Sequence, residues 1–243
     1  MNRLFTNNEG EDLTAAQNGD VAGTSRRNFL TGSAKLIGGG ALAVALAGSP
    51  IFSGAKSVLA QSTTAAAPNL TDIDILNYAL TLEHLEAAFY VQGLNTFTMT
   101  DFTSARFIRG FGGKITSRVY GYFQLIRDHE VTHVQTLISV IQSLGGTPVG
   151  PCTYNFGYSN VDQYVAVAQA LEDTGVMAYD GAIALIQNPD LQTAGATIAT
   201  VEARHAAYLR LLNGNVPFPA AFDTPKTMAE ILALIAPFIV SCP

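Results

Sequence analysis

Past residue 70, apolar side chains recur in steps of three and four, the spacing that turns one face of a helix toward its neighbours. Between 115 and 144 that face is Val119, Phe123, Ile126, Leu137, Val140 and Leu144, and the same face carries Glu130 and His133. Between 191 and 212 it is Leu191, Gly195, Ile198, Leu209 and Leu212, with Glu202 and His205 set among them. A helix from Thr71-Asp72 to about Gly93 presents Leu76, Ala79, Glu83, Glu86, Tyr90 and Gly93. Another, opened by a capping box of Ser159 and Asp162 and closed by Asn188-Pro189-Asp190, presents Val161, Val165, Ala168, Glu172, Gly175, Tyr179, Ala182 and Ile186. Gly145-Gly146 with Pro148 beyond stops the second helix, and Asn213-Gly214-Asn215 stops the fourth. A short last helix begins at Thr224-Pro225 and ends near Pro237. The segment 94–113 has little periodicity, and 147–159 is long enough to cross a bundle from end to end. Period-two alternation is nowhere sustained, so the pattern predicts an all-α fold: four long helices, a long connection between the second and third, and a short C-terminal helix.

The polar intruders on these faces are not scattered. Glu130-x-x-His133 and Glu202-x-x-His205 occupy equivalent slots of two helices. Glu83 and Tyr90 lie seven residues apart, as do Glu172 and Tyr179, so the chain reads as two copies of a unit in which a Glu–Tyr helix precedes a Glu-x-x-His helix. A buried carboxylate without a partner costs several kcal/mol or shifts its pKa until it is neutral. Four of them at one level of a bundle cannot all stay ionised, and the faces above hold no Lys or Arg to balance them. Two divalent cations would balance four carboxylates. Carboxylate oxygen and imidazole nitrogen are ligands that iron, manganese and zinc accept, and residues three apart on a helix can grip one ion. Past residue 60 the chain has six glutamates and four histidines, and four of the former and two of the latter fall in this one arrangement. Glu86 shares the face of Glu83, but its counterpart in the second unit is Gly175; it is either a seventh ligand or a carboxylate facing a solvent channel. His84 and His129, each next to a residue of the polar face, point about 100° away from it and read as surface or packing residues. Asp128, Asp173 and Asp180 are candidates to orient a ligand imidazole, and spacing does not choose among them.

A Glu from each of two helices plus Glu-x-x-His from each of two others is the ligand arrangement of the ferritin-like di-metal carboxylate proteins. "LTLEHLEAAFY" (80–90), "IRDHEVTHVQTL" (126–137) and "VEARHAAYLRLL" (201–212) resemble the ferritin-like domain proteins related to the desiccation-associated group. The resemblance covers about 71–212. It implies an up-down four-helix bundle with a long crossover between helices two and three, and a site holding two transition-metal ions, iron or manganese, with zinc also acceptable to the ligands. It implies Glu83, Glu130, His133, Glu172, Glu202 and His205 as the metal ligands, with Glu130 and Glu202 bridging and Glu83 and Glu172 terminal. It also matches Tyr90 and Tyr179 to tyrosines found beside such sites.

The first sixty residues read as an address. "SRRNFLT" at 25–31 and the apolar run "LIGGGALAVALAGSPIF" at 36–52 resemble a twin-arginine export signal, with cleavage after "SVLA" and a Ser/Thr/Ala linker at 61–70 before the domain at 71–243. The expected location is periplasmic or extracellular, with no stable membrane anchor. In an oxidising compartment Cys152 and Cys242 can pair, but sequence leaves open whether they pair or stay two buried thiols. Hydrophobic residues at 48% and charged residues at 13% indicate a globular chain, and a net charge of −6 argues against a nucleic-acid partner. The absence of C-x-x-C pairs removes a rubredoxin-type electron donor. The expected function is therefore a di-iron or di-manganese oxidoreductase, catalase- or oxidase-like, acting on peroxide or dioxygen. An iron-oxidising and iron-storing protein, or a stress-protective scaffold with a structural or lost metal site, are the alternatives. A homo-oligomer is open.

Overall fold

The structure, a computed structural model, describes residues 70–243. The export signal and, apart from Leu70, the linker expected from sequence lie outside the described residues. Four long helices make the body: α1 (Asp72–Thr96), α4 (Val119–Ser143), α5 (Val161–Ile183) and α6 (Pro189–Leu212). Two short helices, α2 (Met99–Ser104) and α3 (Gly113–Thr116), lie between α1 and α4. The C-terminal α7 (Met228–Ile235) is followed by a single 3-10 turn, Ala236–Phe238. Helix α1 packs along α4 and α5 along α6, and the two hairpins meet chiefly through α1 and α5. Among the described residues no helix is long and apolar enough to cross a membrane.

Local chemistry explains most of the boundaries. Thr71 caps α1 reciprocally: its hydroxyl accepts from the Asp74 amide at 3.2 Å, and the Asp74 carboxylate accepts from the Thr71 amide at 2.8 Å. Asp72, one residue inside, accepts from the amides of Gln187 and Asn188 and so fastens the start of α1 to the α5–α6 turn. The same reciprocal box, Thr98 with Asp101, creates α2 inside what the pattern left as a loop, and its buried Phe102 locks that turn into the core. The cap of α5 is not the expected Ser159/Asp162 pair. Asn160 accepts from the Gln163 amide, while Asp162 takes the Phe107 amide at 2.8 Å and pins the α2–α3 connection. The last helix starts later than Thr224-Pro225, because Thr227 and Glu230 form its capping box.

The apolar face of α4 also drifts. Val140 is only part-buried and Leu144 is exposed, whereas Ile141 is fully buried. A strict alternation of four and three assumes 3.5 residues per turn, but a straight helix has 3.6, so over the roughly six turns from Val119 the inward position slips by more than half a residue and falls at Ile141 instead of Val140.

The crossover from α4 to α5 is held at its middle. Thr153–Tyr154 (β1) pairs antiparallel with Ile239–Ser241 (β2), two strands too short to leave a period-two signal. Next to this ladder Cys152 and Cys242 are joined as a disulfide across 90 residues, which settles the question sequence left open. Reducing this bond, or Cys152→Ser, is expected to lower unfolding stability by about 2–5 kcal/mol, because the released 90-residue loop regains its conformational freedom in the unfolded chain. Guanidinium unfolding with and without reductant measures it, and coincident midpoints would contradict the expectation.

Candidate metal centre

Each long helix delivers its polar residues to one level of the bundle: Glu83 from α1, Glu130 and His133 from α4, Glu172 from α5, Glu202 and His205 from α6. All four carboxylates are fully buried and both histidines nearly so. His133 Nδ1 stands 3.2 Å from Glu83 Oε2, 3.1 Å from Glu130 Oε2 and 3.2 Å from Glu202 Oε1. His205 Nδ1 stands 3.1 Å from Glu130 Oε1 and 3.1 Å from Glu172 Oε2. Glu130 thus turns one oxygen to each imidazole.

The tyrosines complete the arrangement crosswise. Tyr90 of α1 donates to Glu172 Oε1 on α5, and Tyr179 of α5 donates to Glu83 Oε1 on α1. Each of these two glutamates therefore has its outer oxygen held by a tyrosine of the other hairpin, leaving its Oε2 turned to a histidine. Burial keeps both phenols protonated, with the neighbouring carboxylate adding to the effect, so each has an O–H to donate to its glutamate.

Protein hydrogen bonds do not satisfy this cluster. One imidazole nitrogen has a single hydrogen or a single lone pair, so His133 Nδ1 cannot serve three oxygens. Glu130 Oε1 and both oxygens of Glu202 are buried without a hydrogen-bond partner. Two of them lie near an imidazole nitrogen, at 3.1 and 3.2 Å, but out of line with any ring N–H. Ligand atoms about 2.1 Å from one ion stand roughly 3.0 to 3.4 Å apart in octahedral or tetrahedral geometry, and the imidazole-to-carboxylate distances of 3.1 to 3.2 Å fall in that range. Two groups can hold a metal ion: Glu83, Glu130, His133 and Glu202, and Glu130, Glu172, Glu202 and His205, with ligand atoms in each within 4.8 Å of one another. Glu130 and Glu202 belong to both.

The sequence model of the ferritin-like domain family matches residues 71–215, the whole of this bundle. The chain belongs to the ferritin-like domain family. It is also similar to Protein rds1 of Schizosaccharomyces pombe (strain 972 / ATCC 24843), 27% identical over 175 residues, which are 71% of this chain and 40% of that protein. The chain therefore spans well under half the length of this curated relative.

Without a cation, the ferritin-like cluster has to settle its charge with protons. Burial, then the Glu202 carboxylate, pushes Glu130 up to about 7. Burial followed by Glu172 raises Glu202 well above the usual range, and burial followed by Glu130 raises Glu172. Burial pulls His133 and His205 down, but their carboxylate neighbours outweigh it and push them up to about 12 and about 10. Divalent ions would replace these protons and leave the imidazoles neutral.

Glu86 is buried beside the six and is not a member of either four-residue group. Its Oε1 occupies the space that Gly175 leaves open: a Cβ on that glycine would lie 3.1 Å from it and 3.4 Å from Glu202 Oε2. Burial and the surrounding carboxylates, Glu202 foremost, raise its pKa well above the usual range. His84 bonds the Val149 carbonyl of the crossover at 3.1 Å. Asp128 pairs with Arg127 and Asp173 with Arg210; neither these two nor Asp180 bonds an imidazole.

The residue that sequence undervalued is His129. It sits on α4 one position before Glu130, yet its ring stacks on that of His205 with centroids 5.2 Å apart, and its Nδ1 lies 2.9 Å from His205 Nε2. That contact bonds the outer nitrogen of His205 and leaves Nδ1 to face the carboxylates, the kind of outer partner that fixes the tautomer of a metal-binding imidazole. Helical offset alone placed His129 off the site; what it could not show is that α6 brings His205 out to meet it. The second hairpin has Val201 at the matching position, so His133 has no equivalent partner. His129→Ala is expected to weaken one of two cobalt(II) binding steps about tenfold or more and spare the other. A cobalt titration followed by absorbance measures this; two unchanged steps would contradict it.

Proposed function

We propose that this ferritin-like protein is exported by the twin-arginine route and carries a pair of iron or manganese ions that react with peroxide or dioxygen, as part of protection against oxidative or desiccation stress. The observation that supports it is the pair of four-residue groups sharing Glu130 and Glu202. Glu83 with His133 would hold one ion and Glu172 with His205 the other, with Glu130 and Glu202 between them. Four ligand carboxylates balance two divalent cations, so the ligand set with its ions is neutral, which is what a buried site needs. A redox-active pair, once bound, supplies the electrons that cleave an O–O bond, and zinc would not.

The chain's own residues set the conditions for that chemistry. Tyr90 and Tyr179 fix the two outer glutamates by donating to them, so these side chains present one free oxygen each to the centre. Above the site, Tyr90, Phe123, Tyr164, Phe89 and Phe102 close the end of the bundle with stacked and edge-on rings, including Phe89 against Tyr164 at 4.6 Å. Gly93 is part of this closure, since a Cβ there would stand 2.0 Å from the Tyr164 ring. Water is thereby kept from that end, and electrostatic interactions at the carboxylates are strengthened in consequence.

Elemental analysis of unchelated protein is expected to find about two iron or manganese ions per chain, one for each group. The double substitution Glu130→Ala with His133→Ala is expected to abolish loading while leaving the helical circular dichroism in place. Catalase-like release of dioxygen from peroxide by the loaded wild type, lost in the double variant, is the activity expected of an enzyme. Protein without transition metal, or equal loading of the variant, would overturn the proposal. A large hollow assembly by light scattering would instead favour iron storage.

A further inference from the structure

At the end of the bundle opposite the aromatic closure, the four helices do not fill the space between them. A cavity of about 50 Å³ remains there, walled by aliphatic side chains from all four. Its walls are placed relative to the metal centre with some regularity. Ala79 lies one turn before Glu83, Leu137 one turn after His133, Ile198 one turn before Glu202, and Tyr179 two turns after Glu172. The cavity is therefore the continuation of the metal level along the bundle axis. Between the two stands Tyr179, which lines the cavity and donates its hydroxyl to Glu83.

The chemistry of the wall selects the occupant. Thr136, exposed on α4, and Tyr179 contribute the only side-chain polar atoms of the lining, and the Tyr179 hydroxyl is already bonded. Water needs two to four polar partners to stay in a cavity, and apolar cavities of comparable character stay dry and take up small apolar molecules. Peroxide, with two O–H donors, faces the same lack of partners. We propose that this cavity binds a small apolar molecule and, resting on the di-metal reading above, that it is where dioxygen is held next to the centre. Of the two oxidants that the ligands leave open, the cavity selects dioxygen. The mouth lies between α4 and α6, at Thr136 and Ala194, both exposed.

Xenon is the probe, since it reports an apolar cavity whether or not metal is bound. Crystals of the protein under xenon pressure are expected to show one atom among Leu76, Leu137 and Ile198. Gly195→Leu fills the space from α6, where a Cβ would meet Ile183 only at ordinary contact distance, 3.4 Å, and is expected to exclude it. Ala194→Phe, at the exposed mouth, guards against a folding defect in the first variant. In iron(II)-loaded protein both substitutions are expected to slow oxidation by dioxygen about tenfold and to leave oxidation by peroxide within about twofold. Absence of xenon from the wild type overturns the cavity site. Xenon binding with an unchanged dioxygen rate, or with both oxidants slowed alike, overturns the delivery role. Xenon binding in protein that takes up no metal leaves the apolar site standing and overturns the di-metal reading instead.

Discussion

Four carboxylates buried at one level of a helix bundle repel one another, and much of the structure is arranged around that repulsion. No Lys or Arg answers it, for both are absent from the cluster. Two histidines answer part of it, but each has one nitrogen to offer and each faces two or three oxygens. Two tyrosines answer another part by capping the outer oxygens of Glu83 and Glu172. What remains, Glu130 Oε1 and both oxygens of Glu202, has no protein partner. The unfilled valence lies between the two hairpins, so whatever fills it also ties the hairpins together.

This constraint explains why the fold is clamped at its periphery. A centre that gains its stability from a bound ion contributes little, or a penalty, while it is empty. The rest of the bundle has to hold the ligands in register on its own. Three devices do so far from the site: the Asp72 carboxylate across the α5–α6 turn, Asp162 across the α2–α3 connection, and the β1–β2 ladder with its disulfide across the crossover. Each joins segments distant in sequence at a point where a helix begins or a connection turns. The aromatic closure around Tyr164 adds a dense packing layer on one side of the metal level, and the cavity leaves the other side loose.

The sequence made the four helices and the six converging residues legible because both depend on a periodicity that a single chain displays. The Glu-x-x-His repeat is local, so its geometry follows from the helix alone. Features that depend on two distant segments were not legible. Asp162 looks like a cap for its own helix and instead serves Phe107; His129 points away from its own helix's polar face and meets His205 of α6. The Cys152–Cys242 bond needed a distance that spacing does not contain. Ile141 in place of Val140 and Leu144 is a failure of another kind, in which the idealised repeat accumulated a real helix's drift.

The two halves are alike in their ligands and unlike in what surrounds them. Glu83 and Glu172, Tyr90 and Tyr179, and the two Glu-x-x-His pairs correspond as a sequence repeat, whereas Glu86 corresponds to Gly175 and His129 to Val201. Glu86 turns its Oε1 into the space beside Gly175, where a Cβ would stand only 3.1 Å away, and His129 gives His205 a partner that Val201 cannot give His133. Both changes act on the Glu172–His205 side or on the shared Glu202: one adds a carboxylate next to Glu202, the other bonds the far nitrogen of His205. A symmetric cage would hold two ions equally and has no reason to release or activate either first. Were two ions bound, unequal surroundings with equal ligands would give the two positions different affinities, since partners beyond the ligands tune them. The asymmetry is therefore what the reacting centre proposed above would use, and a purely structural site would have no need of it.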